Sequence, residues 1–241
     1  MVCKFLCNHY LARMIVLAIL GLMAFVVLIF GPQFWINWTM KTYGIERSDF
    51  PGTGGELARH LLNEAGLADV KIETTTALGD HYSPDEKTVR LSEANFNGKS
   101  VTAIAVAAHE VAHAIQDRDG YGPLALRQRL AKKVIVVERI GSMVLMATPL
   151  VFALTRSPVV LVLEIAAAFG IMSTSIFIHA VTLPTEFDAS FKKALPVLEG
   201  YLPPEDMQGA RKVLRAAAFT YVAGALISLI NMGRWLRIFR F

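Results

Sequence analysis

The chain has 241 residues, 54% of them hydrophobic, and its 24 basic and 20 acidic residues leave a formal net charge of +4. A mean hydropathy of +0.45 is too apolar for an ordinary water-soluble domain and points to membrane spans joined to a polar portion. Only two cysteines occur, so a disulfide framework and a cysteine-based metal site in the main body are excluded, and no basic tract interleaved with aromatics argues for nucleic acid.

Cys3 and Cys7 precede the first apolar run and read as two thiols beside an anchor. That run, 11–30, matches the roughly 20 residues a helix needs to cross a bilayer. "GPQFWINWTM" follows it, with Trp35 and Trp38 as interface anchors and no small-residue cleavage site, so the run is expected to stay as an uncleaved anchor. Region 31–133 is more polar. "GTGGELARHLLNEAGL" carries apolar residues at helical spacing, its glycines marking the start. "VKIETTT" and "TVRLS" are β-branched strand candidates separated by the turn-prone "GDHYSPDEK". In "NGKSVTAIAVAAHEVAHAIQDRDGYGP", Ser100 is the expected N-cap, and Gly120 with Pro123 ends the helix.

Residues 134–183 hold two apolar runs broken at Thr155-Arg156-Ser157-Pro158, an antiparallel helical hairpin whose second arm closes at Pro184. Glu164 lies in that arm near Arg156, where pairing or snorkelling accounts for it. Segment 184–212 begins "PTEFDASFKKAL", helical in pattern after its proline, and 213–233 is a last span before a tail containing Arg234, Arg237 and Arg240. The expected fold is therefore a mainly α membrane protein, with about four transmembrane helices and a small α+β unit. Four crossings put 31–133 and 184–212 on one face of the membrane. Basic residues crowd the span ends on both faces, so the positive-inside rule does not assign the compartment.

Within that unit, His109 and His113 are four apart, on one face of a helix and a turn from each other, so both imidazoles can aim at one point. Glu110 stands a quarter-turn round, within reach of a water held there. This is the HExxH arrangement: two metal ligands, and a carboxylate that takes a proton from metal-activated water. A catalytic zinc wants three protein ligands and one open position. The third is sought on the same face of the membrane, where Glu186 is the first candidate, Asp188 its nearest competitor and His179 a further one. The plainer account of both acids is a helix first turn, where the macrodipole favours negative charge. His60 and His9 carry no comparable signal.

"AVAAHEVAHAIQ", "TLPTEFDAS", "DHYSPDEKTVRLSE" and "GARKVLRAAAFTYVA" together resemble the YugP-type family of neutral membrane zinc metallopeptidases, in order over nearly the whole chain. The "EFDAS" element more distantly resembles that of HtpX-type and CAAX prenyl proteases, where a glutamate from a second helix completes a gluzincin site. The resemblance implies one Zn2+ per chain held by His109, His113 and Glu186, with Glu110 as general base. Two departures stand out. Ser190 occupies the place where the distant relatives carry an aspartate, leaving Asp188 as a candidate to orient a ligand imidazole. Val111-Ala112 replaces an expected glycine before the second histidine, a helix-compatible change. His81 and Tyr82 are candidates to stabilise the oxyanion, and the "TVRLS" edge is a candidate to receive an extended peptide.

The resulting expectation is a zinc endopeptidase, multi-pass in a bacterial plasma membrane, acting on peptide or protein substrates that include membrane proteins. Its partners would be substrate and bilayer, with no nucleic acid. The alternative is a non-catalytic membrane adaptor with a structural metal, which would need four protein ligands. A transporter would need paired broken helices or several midplane charges, which are missing. The apolar stretch before "HEVAH" is too short to make that helix itself a span.

Overall fold

The computed structural model describes residues 2–76 and 79–228; within its helices only the backbone is described at some positions, among them 2–12, 171–177, 179 and 225–228. In chain order the elements are α1 (Val2–Thr42), α2 (Gly54–Glu64), β1 (Lys71–Thr75), β2 (His81–Ser83), β3 (Thr88–Ser92), α3 (Glu93–Asn97), α4 (Val101–Arg118), α5 (Gly122–Thr155), α6 (Pro158–Phe187), a π-helical turn (Asp188–Ala194), α7 (Leu195–Leu198) and α8 (Pro204–Ser228). The architecture is mainly helical with one small mixed sheet beside its central helix.

That central helix is α4. The Ser100 hydroxyl accepts from the Ala103 amide at 3.1 Å, the N-cap expected from the sequence. Every residue from Val101 to Ala114 is buried, so this stretch of α4 has no solvent face and differs from an amphipathic surface helix. Its alanines let neighbours close in on all sides. A close approach to it is at Gly54, where a β-carbon would lie 2.7 Å from the Ala103 carbonyl oxygen of α4 and 2.2 Å from that of Asn95 in α3. Close packing is thus one reason for the glycines that open α2. A capping box, with Thr53 and Glu56 exchanging bonds of 2.8 and 3.2 Å, starts that helix. Leu57, Leu61 and Leu62 then face the core at helical spacing.

The sheet has the order β1-β3-β2, with β1 parallel and β2 antiparallel to β3. Val89 and Leu91 of β3 are fully buried. Because β3 is the middle strand, both its edges are already paired, and the expectation that "TVRLS" receives a peptide is corrected: the edge strand lining the cleft is β2. The Tyr82 hydroxyl (2.8 Å) and the Lys87 ammonium (2.6 Å) both donate to Asp117, pinning the sheet to the last turn of α4.

Among the described residues, one helix, Arg13–Thr42, is long and apolar enough to cross a membrane. It runs beyond the expected 11–30 span at the C-terminal end. The extension docks: Ile36 packs with Ala216 and Ala223 of α8, and Thr102 of α4 donates to the carbonyls of Met40 (2.9 Å) and Tyr43 (3.0 Å). Helices α5 and α6 form the expected hairpin. Arg156 turns it with φ +48°, Ser157 caps the second arm, and Pro158 opens it. Among the described residues, the apolar stretches of the arms are Arg139–Thr155 and Pro158–Ala167. The fourth expected crossing, 213–233, falls partly outside the described residues, as do Arg234, Arg237 and Arg240. Pro184 does not close the second arm; α6 runs through it to Phe187 and passes directly into the π turn.

Candidate metal centre

His109 and His113 project from the buried middle of α4, and Glu186 arrives from the last turn of α6. The His109 and His113 Nε2 atoms lie 3.2 Å apart, and Glu186 Oε2 lies 3.2 Å from the first and 3.5 Å from the second. A tetrahedral ion bound at ~2.0–2.1 Å holds its ligand atoms roughly 3.3 Å apart, so this triangle has the right edges. The cluster contains three ligating side chains, all buried.

The surrounding hydrogen bonds assign the tautomers. The Ser190 hydroxyl lies 3.1 Å from the Leu214 carbonyl oxygen, to which it must donate, and 3.1 Å from His109 Nδ1, from which it must therefore accept. Gln116 spends both amide hydrogens, on the Thr185 carbonyl (2.9 Å) and Asp188 (2.8 Å), so its oxygen accepts from His113 Nδ1 at 2.9 Å. In their neutral form both imidazoles then carry their proton on Nδ1, and it is in this form that they can bind a metal. Two Nε2 lone pairs and a carboxylate lone pair converge on one point with no hydrogen between them. Such a donor set is repulsive by itself and fits a bound divalent cation.

Electrostatics separate the two glutamates. In the metal-free site, burial would push the Glu186 carboxyl up, but charged His113 and His109 imidazoles, with Arg127, outweigh it and hold it well below the usual carboxylate range. Glu110 is pushed up to about 7, chiefly by burial, with His109 opposing and Glu186 and Asp80 adding to the rise. A carboxyl poised there is suited to exchanging protons near neutrality.

His81, Tyr82, Glu110, Arg127, Glu186 and Tyr221 line one cleft of about 710 Å³, together with both histidines. His81 Nδ1 lies 2.9 Å from the Gly79 carbonyl, so the neutral ring bears no hydrogen on Nε2, and only the imidazolium can donate from it. The Tyr82 hydroxyl is committed to Asp117. Asp188 is buried and reaches His113 at one remove, through Gln116. Neither acid is at a helix N-terminus, because α6 continues into the π turn; the macrodipole account fails for both. His60 pairs with Glu64 on the surface of α2 at 3.3 Å, and the side chains of His9 and His179 lie outside the described residues.

Four contributors were missed in the sequence reading. Ser190, noted only as a departure, is itself the partner of His109. Gln116, fully buried three residues beyond His113, was legible in principle as a polar group on the same helical face. Arg127 donates to Glu186 Oε1 at 2.7 Å, also donates to the Tyr221 hydroxyl, and stacks over the Tyr221 ring at 4.6 Å. No local spacing announces contacts between elements so far apart in the chain.

Comparison with known proteins adds an independent line. A family model described as "Putative neutral zinc metallopeptidase" matches residues 17–240. The chain is similar to the "Putative membrane protease YugP" of Bacillus subtilis (strain 168), 36% identical over 215 residues that cover 87% of this chain and 92% of that protein. No solved structure matches.

Proposed function

The chain belongs to the neutral zinc metallopeptidase family, and from that premise we propose that it hydrolyses peptide bonds of proteins at or near a membrane, with His109, His113 and Glu186 as zinc ligands and Glu110 as general base. The role is catalytic rather than that of an adaptor. The observation that carries the assignment is the convergence of two imidazole nitrogens and a carboxylate oxygen within 3.5 Å of one another, a cluster of three among the described residues. His109, His113 and Glu186 would hold the zinc, which when bound would lower the pKa of a coordinated water towards ~7 and polarise the scissile carbonyl. Glu110 takes the proton from the attacking water and returns it to the leaving amine. The edge of β2 aligns the extended peptide across the cleft, and protonated His81 donates to the developing oxyanion.

The membrane setting is supported by α1 and by the large apolar side chains exposed along α5 and α6, including Leu150, Leu154, Val159, Val162 and Leu163. The reading is a multi-pass plasma-membrane protein with 11–30, the hairpin 134–183 and 213–233 in the bilayer. The polar segments 31–133 and 184–212 then assemble the site on one face. The relative from Bacillus subtilis, whose printed name is that of a membrane protease, agrees with it.

Glu110→Gln tests the mechanism. Metal content measured by emission spectroscopy should remain at one zinc per chain, while hydrolysis of an unfolded protein substrate falls by about 10²–10⁴-fold. His109→Ala should lose both. Full activity in Glu110→Gln removes the general-base assignment.

A further inference from the structure

We infer that Arg127, braced by Tyr221, is a positioning residue that holds Glu186 to ligation through a single oxygen, keeping one position on the metal open for water. The inference rests on the metal reading of the His109–His113–Glu186 cluster and deepens it.

The two oxygens of Glu186 face different partners. Oε2 lies against both imidazoles, at 3.2 and 3.5 Å, while Oε1 accepts from Arg127 Nη1 at 2.7 Å. A carboxylate unrestrained on its far oxygen can swing to present both oxygens to a cation, and so fill the position that hydrolysis needs. Arg127 opposes that swing in two ways. Its guanidinium engages Oε1 directly in a charge-assisted bond. Its own orientation is fixed by its second nitrogen, which donates to the Tyr221 hydroxyl, and by stacking on the Tyr221 ring. The arrangement draws on three elements: Arg127 stands near the start of α5, Glu186 at the end of α6 and Tyr221 on α8. Glu186 is 1% exposed and the Arg127 side chain 22%, so the pair is poorly screened by solvent and forms part of the cleft wall.

The chemistry distinguishes Arg127 from a residue that merely supports the fold. A supporting residue, once removed, would weaken metal binding and leave the coordination of any bound metal unchanged. Loss of a positioning residue changes the coordination itself. It need not weaken binding, because a positive charge beside the cation leaves with it.

The test is cobalt substitution of the purified full-length chain in detergent. Wild type stripped of metal and loaded with Co2+ should give the intense visible band of a four-coordinate site. Arg127→Met should bind Co2+ but show the weaker, shifted band of five- or six-coordination. Arg127→Lys, which keeps a single donor and the charge, should recover part of the wild-type band. Tyr221→Phe, which leaves the guanidinium but removes its brace, should fall between wild type and Arg127→Met, and it decides the matter if Arg127→Met fails to fold. Wild-type bands in the variants that fold overturn the inference while leaving the metal site intact. Failure of folded wild type to bind Co2+ overturns the metal reading itself.

Discussion

Ser190 and Gln116 touch no substrate, yet each fixes which ring nitrogen of a histidine is free to bind. Ser190→Ala removes the acceptor from His109 Nδ1 and takes from the Leu214 carbonyl a donor additional to its own helix bond. Because such partners set ligand orientation, zinc affinity by competition with a chromophoric chelator is expected to fall about 10–100-fold. Gln116→Leu should do the same through His113 and also strand Asp188. Unchanged affinity in both variants would mean that the imidazoles are held by packing alone. At this scale the sequence was informative about the residues that meet the metal and nearly silent about those that orient them. HExxH places two ligands and a base by helical geometry alone, so three of the site's residues can be read from five positions. Ser190 belongs to another element, and its hydroxyl acquires a role only once α4, the π turn and α8 are packed.

Between elements, the cleft depends on the short strand β2 being pinned to α4, and the Tyr82–Asp117 bond is one of its two visible pins. Tyr82→Phe deletes a hydrogen bond to a charged acceptor, so a loss of about 1.5–3 kcal/mol in unfolding free energy is expected. Metal content should not change, since Tyr82 is no ligand; denaturant unfolding alongside zinc analysis checks both halves. The element boundaries that the sequence made plain are those with a local cause: the Ser100 cap, the strand candidates around a turn, and the Arg156–Pro158 break. Those it obscured depend on partners. Pro184 reads as a stop because it lacks an amide hydrogen and crowds the preceding turn. In the folded chain, the next turn is secured from outside by Gln116 on the Thr185 carbonyl and by Arg127 on Glu186, and the helix continues. The π turn that follows gathers Asp188 and Ser190 into the buried face beside Glu186, in keeping with the frequent use of such widened turns at functional sites.

For the whole molecule, the governing constraint is sidedness. The described site draws on segments both before the hairpin and after it, and only an even number of crossings between them brings the two together. In a chain whose Cys3 and Cys7 are changed to serine, Asn97→Cys and Thr155→Cys are expected to react with an impermeant maleimide from opposite sides of the membrane. Labelling of both from the same side would show that the hairpin does not cross. The first span was legible because apolar length is a one-dimensional property. The compartment was not, since basic residues flank both ends of the helices.

The placement of Arg127 and Glu186 at the two open ends of one helical hairpin has a consequence for biogenesis. His109, Glu110 and His113 leave the ribosome before either arm is made, and the residue that completes their set comes only after the chain has reversed direction at Arg156. A nascent or wrongly inserted chain therefore carries an unfinished centre. The three-residue centre is complete only once both arms of the hairpin have been made and have folded back together.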